Sequence, residues 1–159
     1  MKRLGLAVVV AGLLIGALAS PALAAGTTRI QISGTNTYAV QTTGTQWFTG
    51  NIVHERGDTN TATVTGSLSG TSAAVINLNL NLVTGAGPMW GTAVITLDGG
   101  GGFNCIWYGA FVPGTGGSQY TFTELCLGYG ARTGWLARMD TIGQPDGFTY
   151  SGYEFKLGS

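Results

Sequence analysis

The chain has 159 residues, with seven Lys and Arg against seven Asp and Glu and a formal net charge of zero at pH 7. Only 9% of its residues are charged, so there is no basic stripe with which to hold nucleic acid or an anionic membrane. Glycine is abundant at 28 residues and proline scarce at 4, a balance that suits many short strands joined by tight turns rather than disorder.

At the N-terminus, Lys2 and Arg3 precede an uncharged apolar run from Leu4 to about Leu18, followed by Pro21 and Ala22-Leu23-Ala24. A basic start, a run too short to span a bilayer and a small-x-small site predict a cleaved signal peptide over 1–24, not a retained anchor. No cysteine follows the site to suggest a lipoprotein. The mature chain, 25–159, is then one domain with one core, secreted or periplasmic, with no stable membrane insertion after cleavage. Removing the leader takes two of the seven basic residues, leaving five against seven acidic ones, a net charge of −2.

Beyond the leader no segment has helical periodicity. Strand-like runs follow in order at Thr28–Ser33, Tyr38–Thr42, Gln46–Arg56, Thr61–Leu68, Ala73–Val83, Trp90–Leu97, Phe103–Val112, Gln119–Leu127, Trp135–Ile142 and Phe148–Leu157. Turn residues separate them at Gly57-Asp58, Gly70-Thr71-Ser72, Gly85–Pro88, Asp98–Gly102 and Gly143–Gly147. This spacing predicts an all-β fold, an antiparallel up-and-down barrel of about eight strands, since closure removes exposed edges. A sandwich is the alternative.

Within Gln46–Arg56, strict alternation puts Phe48, Ile52, His54 and Arg56 on one side and Trp47, Asn51, Val53 and Glu55 on the other. His54 beside Arg56 is a candidate acid–base or carboxylate-binding pair; closing a strand end by hydrogen bonding is the plainer reading. Arg56-Gly57-Asp58 spells an adhesion tripeptide, which at a turn is expected by chance. Between Val75 and Leu82, Ile76, Leu78, Leu80 and Leu82 alternate with Asn77, Asn79 and Asn81. The asparagines line either a polar cavity or, more simply, the wet outer face of a strand.

The only two cysteines, Cys105 and Cys126, sit symmetrically about the turn Pro113–Gly117. A disulfide between them, consistent with an oxidising compartment, fixes the register of the flanking hairpin, opposite residue numbers adding to 231. Phe103, Cys105, Trp107 and Phe111 then share a face with Tyr120, Phe122, Glu124 and Cys126, and Trp107 lies opposite Glu124. That aromatic face is the expected interior, with Phe103, Trp107, Phe111, Tyr120 and Phe122 as ligand-binding candidates. It would leave Glu124 among rings, where burial raises a carboxyl pKa. The competing readings are an ion pair with Arg29, Arg132 or Arg138, a place at the rim, or a bulge near Gly109 that turns Glu124 outward.

Other chemistries find little support. One histidine with both cysteines bridged leaves no set of nitrogen and sulfur ligands for a metal, and no cofactor is indicated. The G-x-S-x-G elbow of serine hydrolases is missing. Gly128–Gly134 is rich in glycine, but no helix follows to hold an anion, so these glycines fit a sharp strand bend.

The landmarks Gly50-Asn51-Ile52-Val53-His54-Glu55-Arg56-Gly57, Gly66-Ser67-Leu68-Ser69-Gly70, Trp90-Gly91-Thr92, Trp107-Tyr108-Gly109 and Gly128-Tyr129-Gly130 together resemble small bacterial eight-stranded barrels of the allene oxide cyclase-like type, within the calycin and dirigent-like group. The resemblance covers about Thr45 to Leu157 and speaks to fold more than to activity. It implies proteins that act on apolar substrates in a barrel mouth, and no catalytic residue carries over by motif.

The expectation from sequence is an exported, disulfide-stapled barrel holding a small apolar or amphipathic molecule, with Glu124 as its polar orienting group. The alternative is a cyclase or isomerase using Glu124 or His54. A third reading is a barrel filled by side chains with a structural or cell-envelope role.

Overall fold

The computed structural model describes residues 28–114, 117–144 and 146–157; the expected leader, 1–24, lies outside them. Nine strands follow one another: β1 (Arg29–Thr42), β2 (Thr45–Thr49), β3 (Ile52–Gly66), β4 (Gly70–Asn81), β5 (Gly87–Leu97), β6 (Gly102–Gly114), β7 (Gly117–Tyr129), β8 (Trp135–Gln144) and β9 (Gly147–Lys156). A single 3₁₀ turn at Gly130–Arg132 joins β7 to β8. Each strand from β3 to β9 pairs antiparallel with the next, and β1 pairs with both β9 and β3. The result is a closed eight-stranded antiparallel barrel in which β2 is an extra short strand paired to β3.

The first third of the chain differs from simple alternation in two places. Gly50 and Asn51 form a tight turn, with Gly50 at φ 58°, so the run Gln46–Arg56 is a hairpin rather than one strand. Cross-strand pairing therefore sets Trp47 beside His54 and Phe48 beside Val53, which reverses the two β2 residues relative to the alternation expected. Conversely Gly57-Asp58 is no turn: the register shifts between Arg56 and Asp58, and Gly57 sits at φ 75°. That is a bulge at a glycine in the left-handed region, which bends β3 without ending it.

The β6–β7 hairpin has the register that the cysteines dictate, with Cys105 opposite Cys126 and Trp107 opposite Glu124. A disulfide joins the two cysteines across a Cα–Cα distance of 4.0 Å. Closing a loop of this length contributes about 3 kcal/mol in the chain-entropy view. The asparagines of β4 lie on the outer surface, while Ile76, Leu78 and Leu80 pack inward against the core.

The two ends of the barrel are built differently. At one end Ile32, Val64, Leu68, Leu97, Phe103 and Met139 are packed together and almost wholly buried. Leu68 belongs to the β3–β4 connection, which folds inward as a plug. The Tyr150 hydroxyl holds that connection, accepting from the Leu68 N–H and donating to the Thr65 carbonyl, both at 3.1 Å. Large rings in a narrow barrel need space, and glycines on neighbouring strands provide it. A Cβ on Gly91, Gly109, Gly143 or Gly34 would collide with Trp107, Phe122, Tyr120 or Tyr150 respectively.

Candidate functional site

Above the plug the barrel is hollow. A cavity of about 250 Å³ opens at the other end, between Tyr38 and Phe148 on one side and Glu55 and Asp58 on the other. Its aromatic wall is continuous: Trp107 meets Phe122 at 5.2 Å between ring centroids, and Phe122 meets Phe148 at 5.3 Å. Tyr120 bridges Phe122 and Phe111. Ala74, Ile76, Leu78, Met89, Ala93 and Ile95 form the aliphatic wall. At the mouth the Tyr38 and Tyr120 hydroxyls hydrogen-bond to each other, and Tyr120 donates to the Gly147 carbonyl at 3.1 Å. Burial pushes both tyrosine pKa values up, so these hydroxyls stay neutral, with the Tyr120 proton on the Gly147 carbonyl and the Tyr38 proton on Tyr120.

Glu124 lines the cavity with only 5% of its surface exposed. None of the three arginines weighed as partners from sequence reaches it: Arg29 lies over the Tyr153 ring, Arg132 binds Glu154 and Arg138 binds Asp140. Cys126 Sγ lies 4.0 Å from its Oε2, but a disulfide sulfur has no proton to give. Burial alone therefore pushes the Glu124 pKa up to about 7. The Glu124 carboxylate and the two sulfurs form a cluster within 4.8 Å, but bridged sulfurs are not thiolate ligands, so the set does not suit a metal.

The rim adds two more carboxylates. Because β3 is bulged at Gly57, both Glu55 and Asp58 line the cavity, joined further in by Asn60. Burial, followed by a hydrogen bond to Asp58, raises the Glu55 pKa, and Gln46 Nε2 partly offsets this by donating to Glu55 Oε1 at 2.5 Å. Asp58 Oδ1 accepts from the Gly44 N–H at 2.7 Å. Asn36, from β1, is 5% exposed, and its Oδ1 is buried without a hydrogen-bond partner among the described residues.

Of the sequence candidates, Trp107, Phe111, Tyr120, Phe122 and Glu124 are brought together around the cavity. Phe103 is wholly buried in the plugged end instead. His54 is outside the barrel, stacked on Trp47 at 5.0 Å, so it and Glu124 do not form one site. Asn79 Oδ1 is shared at 2.8 Å by Arg56 Nη2 and His54 Nδ1. Arginine can only donate, so that atom is an acceptor and His54 must donate from Nδ1.

Tyr38, Phe148, Asn36, Asn60, Glu55 and Asp58 were not among the sequence candidates. For Asn36 and Tyr38 the available signal was the alternation Ile32, Gly34, Asn36, Tyr38. The rim acids were hidden by the bulge.

A larger concavity of about 1240 Å³ lies on the outer face, lined by residues such as Tyr108, Val112 and Ile142. It is an open saddle, and its one charged side chain, Asp140, is paired to Arg138 at 3.1 Å. The enclosed interior is the better candidate site.

No protein-family profile matches the chain, and no curated protein matches it. Among solved structures it is similar to a protein with unknown function from Clostridium acetobutylicum ATCC 824. The two share 10% identity and a TM-score of 0.49, over 82% of this chain and 99% of that one. The likeness carries no argument about activity.

Proposed function

We propose that the protein is an exported barrel that binds one small amphipathic molecule in its interior. The observation that carries this reading is the open-mouthed cavity of about 250 Å³, apolar over most of its wall, with an uncompensated Glu124 facing into it. Pockets of this kind orient an apolar body with a few well-placed polar groups. At 250 Å³ the space is below the roughly 300–1,000 Å³ of drug-sized sites, so the ligand is a small one. Export rests on the N-terminal leader pattern and on the disulfide, which suits an oxidising compartment.

The test is a titration of the mature protein with single-ring alcohols, acids and amines, followed by Trp107 fluorescence and native mass spectrometry. Binding by at least one class, lost when Ala93→Phe fills the cavity, is the expected result. Failure of every class to bind, or binding indifferent to Ala93→Phe, overturns the reading.

A second reading is favoured by one observation. A carboxyl whose pKa is pushed to about 7 both gives and takes a proton near neutral pH. An isomerase or cyclase of the allene oxide cyclase-like type would use Glu124 in that way. His54, on the outer surface, would take no part. Glu124→Gln would abolish turnover while leaving apolar binding largely in place, and turnover that survives the substitution would end this reading.

A further inference from the structure

Two acceptors of the cavity stand unmatched, while Gln41, Asn60 and Ser72, which also line it, are neutral. Glu124 has no cationic or hydrogen-bonding partner among the described residues, and Asn36 Oδ1 is buried without one. Glu55 and Asp58 stand at the entrance. No basic residue lines the cavity: Arg29 stacks on Tyr153, Arg132 and Arg138 are held by Glu154 and Asp140, Arg56 lies against Trp47 and Trp90 on the outer face, and Lys156 is exposed at the end of β9. The remaining groups that face Glu124 are Tyr38 and Tyr120, both neutral hydroxyls.

We infer that the ligand is a small organic cation, a primary or secondary ammonium on a short apolar body, whose N–H groups meet Glu124 and Asn36 while the body lies against Trp107 and Phe122. This rests on the small-molecule-binding reading above and specifies its ligand class.

Three features point the same way. Burying a carboxylate without a partner is costly, and an incoming ammonium removes that cost at the moment of binding. The orphaned Asn36 carbonyl also needs a donor, which an alcohol can supply but a carboxylic acid anion cannot. Ring faces attract cations, and desolvation strengthens that attraction inside the barrel. The rim acids raise the local concentration of cations at the mouth and repel anions.

The experiment compares four probes of one shape at pH 8: 2-phenylethylamine, its N,N,N-trimethyl derivative, 2-phenylethanol and phenylacetate. By calorimetry, 2-phenylethylamine is expected to bind at least tenfold tighter than 2-phenylethanol. The trimethyl form should be weaker than the amine because it has no N–H, and phenylacetate should be weakest. The preference for amine over alcohol should fall to less than threefold in Glu124→Gln. The double variant Glu55→Gln/Asp58→Asn should retain it in part, which keeps the comparison available if Glu124→Gln does not fold. Equal binding of amine and alcohol, or preference for phenylacetate, overturns the cation assignment and leaves the cavity reading standing. Failure of all four probes to bind overturns both.

Discussion

Two glutamates point into this barrel, nearly equally hidden from water at 5% and 2% exposure, and they are treated in opposite ways. Glu154, at the plugged end, receives Arg132 Nη1 at 2.6 Å, and the Arg132 guanidinium also rests over Trp135. Burial raises its pKa, and Arg132 pulls against that rise. Glu124, in the hollow half, has no such partner, and burial acts on it unopposed. One end of the barrel is arranged for stability, with its space filled and its charge paired through Glu154 Oε2, although Oε1 has no hydrogen-bond partner among the described residues. The other keeps a charge and a volume in reserve, which is the pattern expected where a protein retains a cost for the sake of a ligand.

The largest effect should come from unfilling the plugged end. Leu68→Ala removes a 2%-exposed side chain from the plugged end of the core and should cost about 3–4 kcal/mol in urea unfolding. A cost below about 1 kcal/mol would mean that this end is as loosely packed as the mouth.

Next comes removal of the unmatched charge. The folded-state pKa of Glu124 is raised to about 7 from an ordinary 4.5. Stability from the neutral carboxyl is therefore full below about pH 4.5 and lost as pH rises through 7. Glu124→Gln should flatten that slope, gaining up to about 3 kcal/mol at pH 8 and almost nothing at pH 4.5. Thermal melts at both pH values read this directly, and a variant less stable than the parent at pH 8 would contradict the contrast.

Arg132→Ala should do the opposite. Leaving Glu154 alone should cost about 2 kcal/mol at pH 8, the low side for a broken buried pair because Arg132 is partly solvated. The loss should shrink as pH falls and Glu154 protonates. A pH-independent loss would assign Arg132 a packing role over Trp135 rather than a charge role.

The smallest effect is expected at the mouth. Tyr38→Phe removes one partner of the Tyr38–Tyr120 hydroxyl pair and should cost about 1 kcal/mol or less. Its clearer readout is faster exchange of a bound probe, seen in NMR line widths; unchanged exchange would place the entrance elsewhere.

Legibility from sequence followed the same divide between regular and irregular backbone. The β6–β7 hairpin could be read residue by residue, because a symmetric cysteine pair and an uninterrupted period of two leave one register. Trp107 opposite Glu124 followed from that alone. In β2 and β3 the period breaks twice, at the Gly50-Asn51 turn and the Gly57 bulge, so parity before Gly57 differs from parity after it. Simple alternation therefore puts Trp47 on the wrong side and hides the inward position of Asp58. Asn36 and Asn60 were missed for a different reason: polar residues at inward positions look like a solvent-facing stretch until the barrel closes around them. Which arginine meets which glutamate depends on contacts between β9 and the turn after β7, beyond the reach of local patterning.

The seam between β1 and β9 joins the two ends of the described chain, Arg29–Thr37 against Gly147–Phe155. Its consequence is one of timing. A hairpin such as β6–β7 pairs residues close in sequence, whereas the seam waits for the entire chain and closes a very long loop. Until it forms, β1 and β9 are bare edges able to recruit another chain, and the interior has no enclosed volume. The cavity is thus enclosed only once the seam forms, and a nascent chain halted before β9 would have the Glu124 wall but no enclosed space.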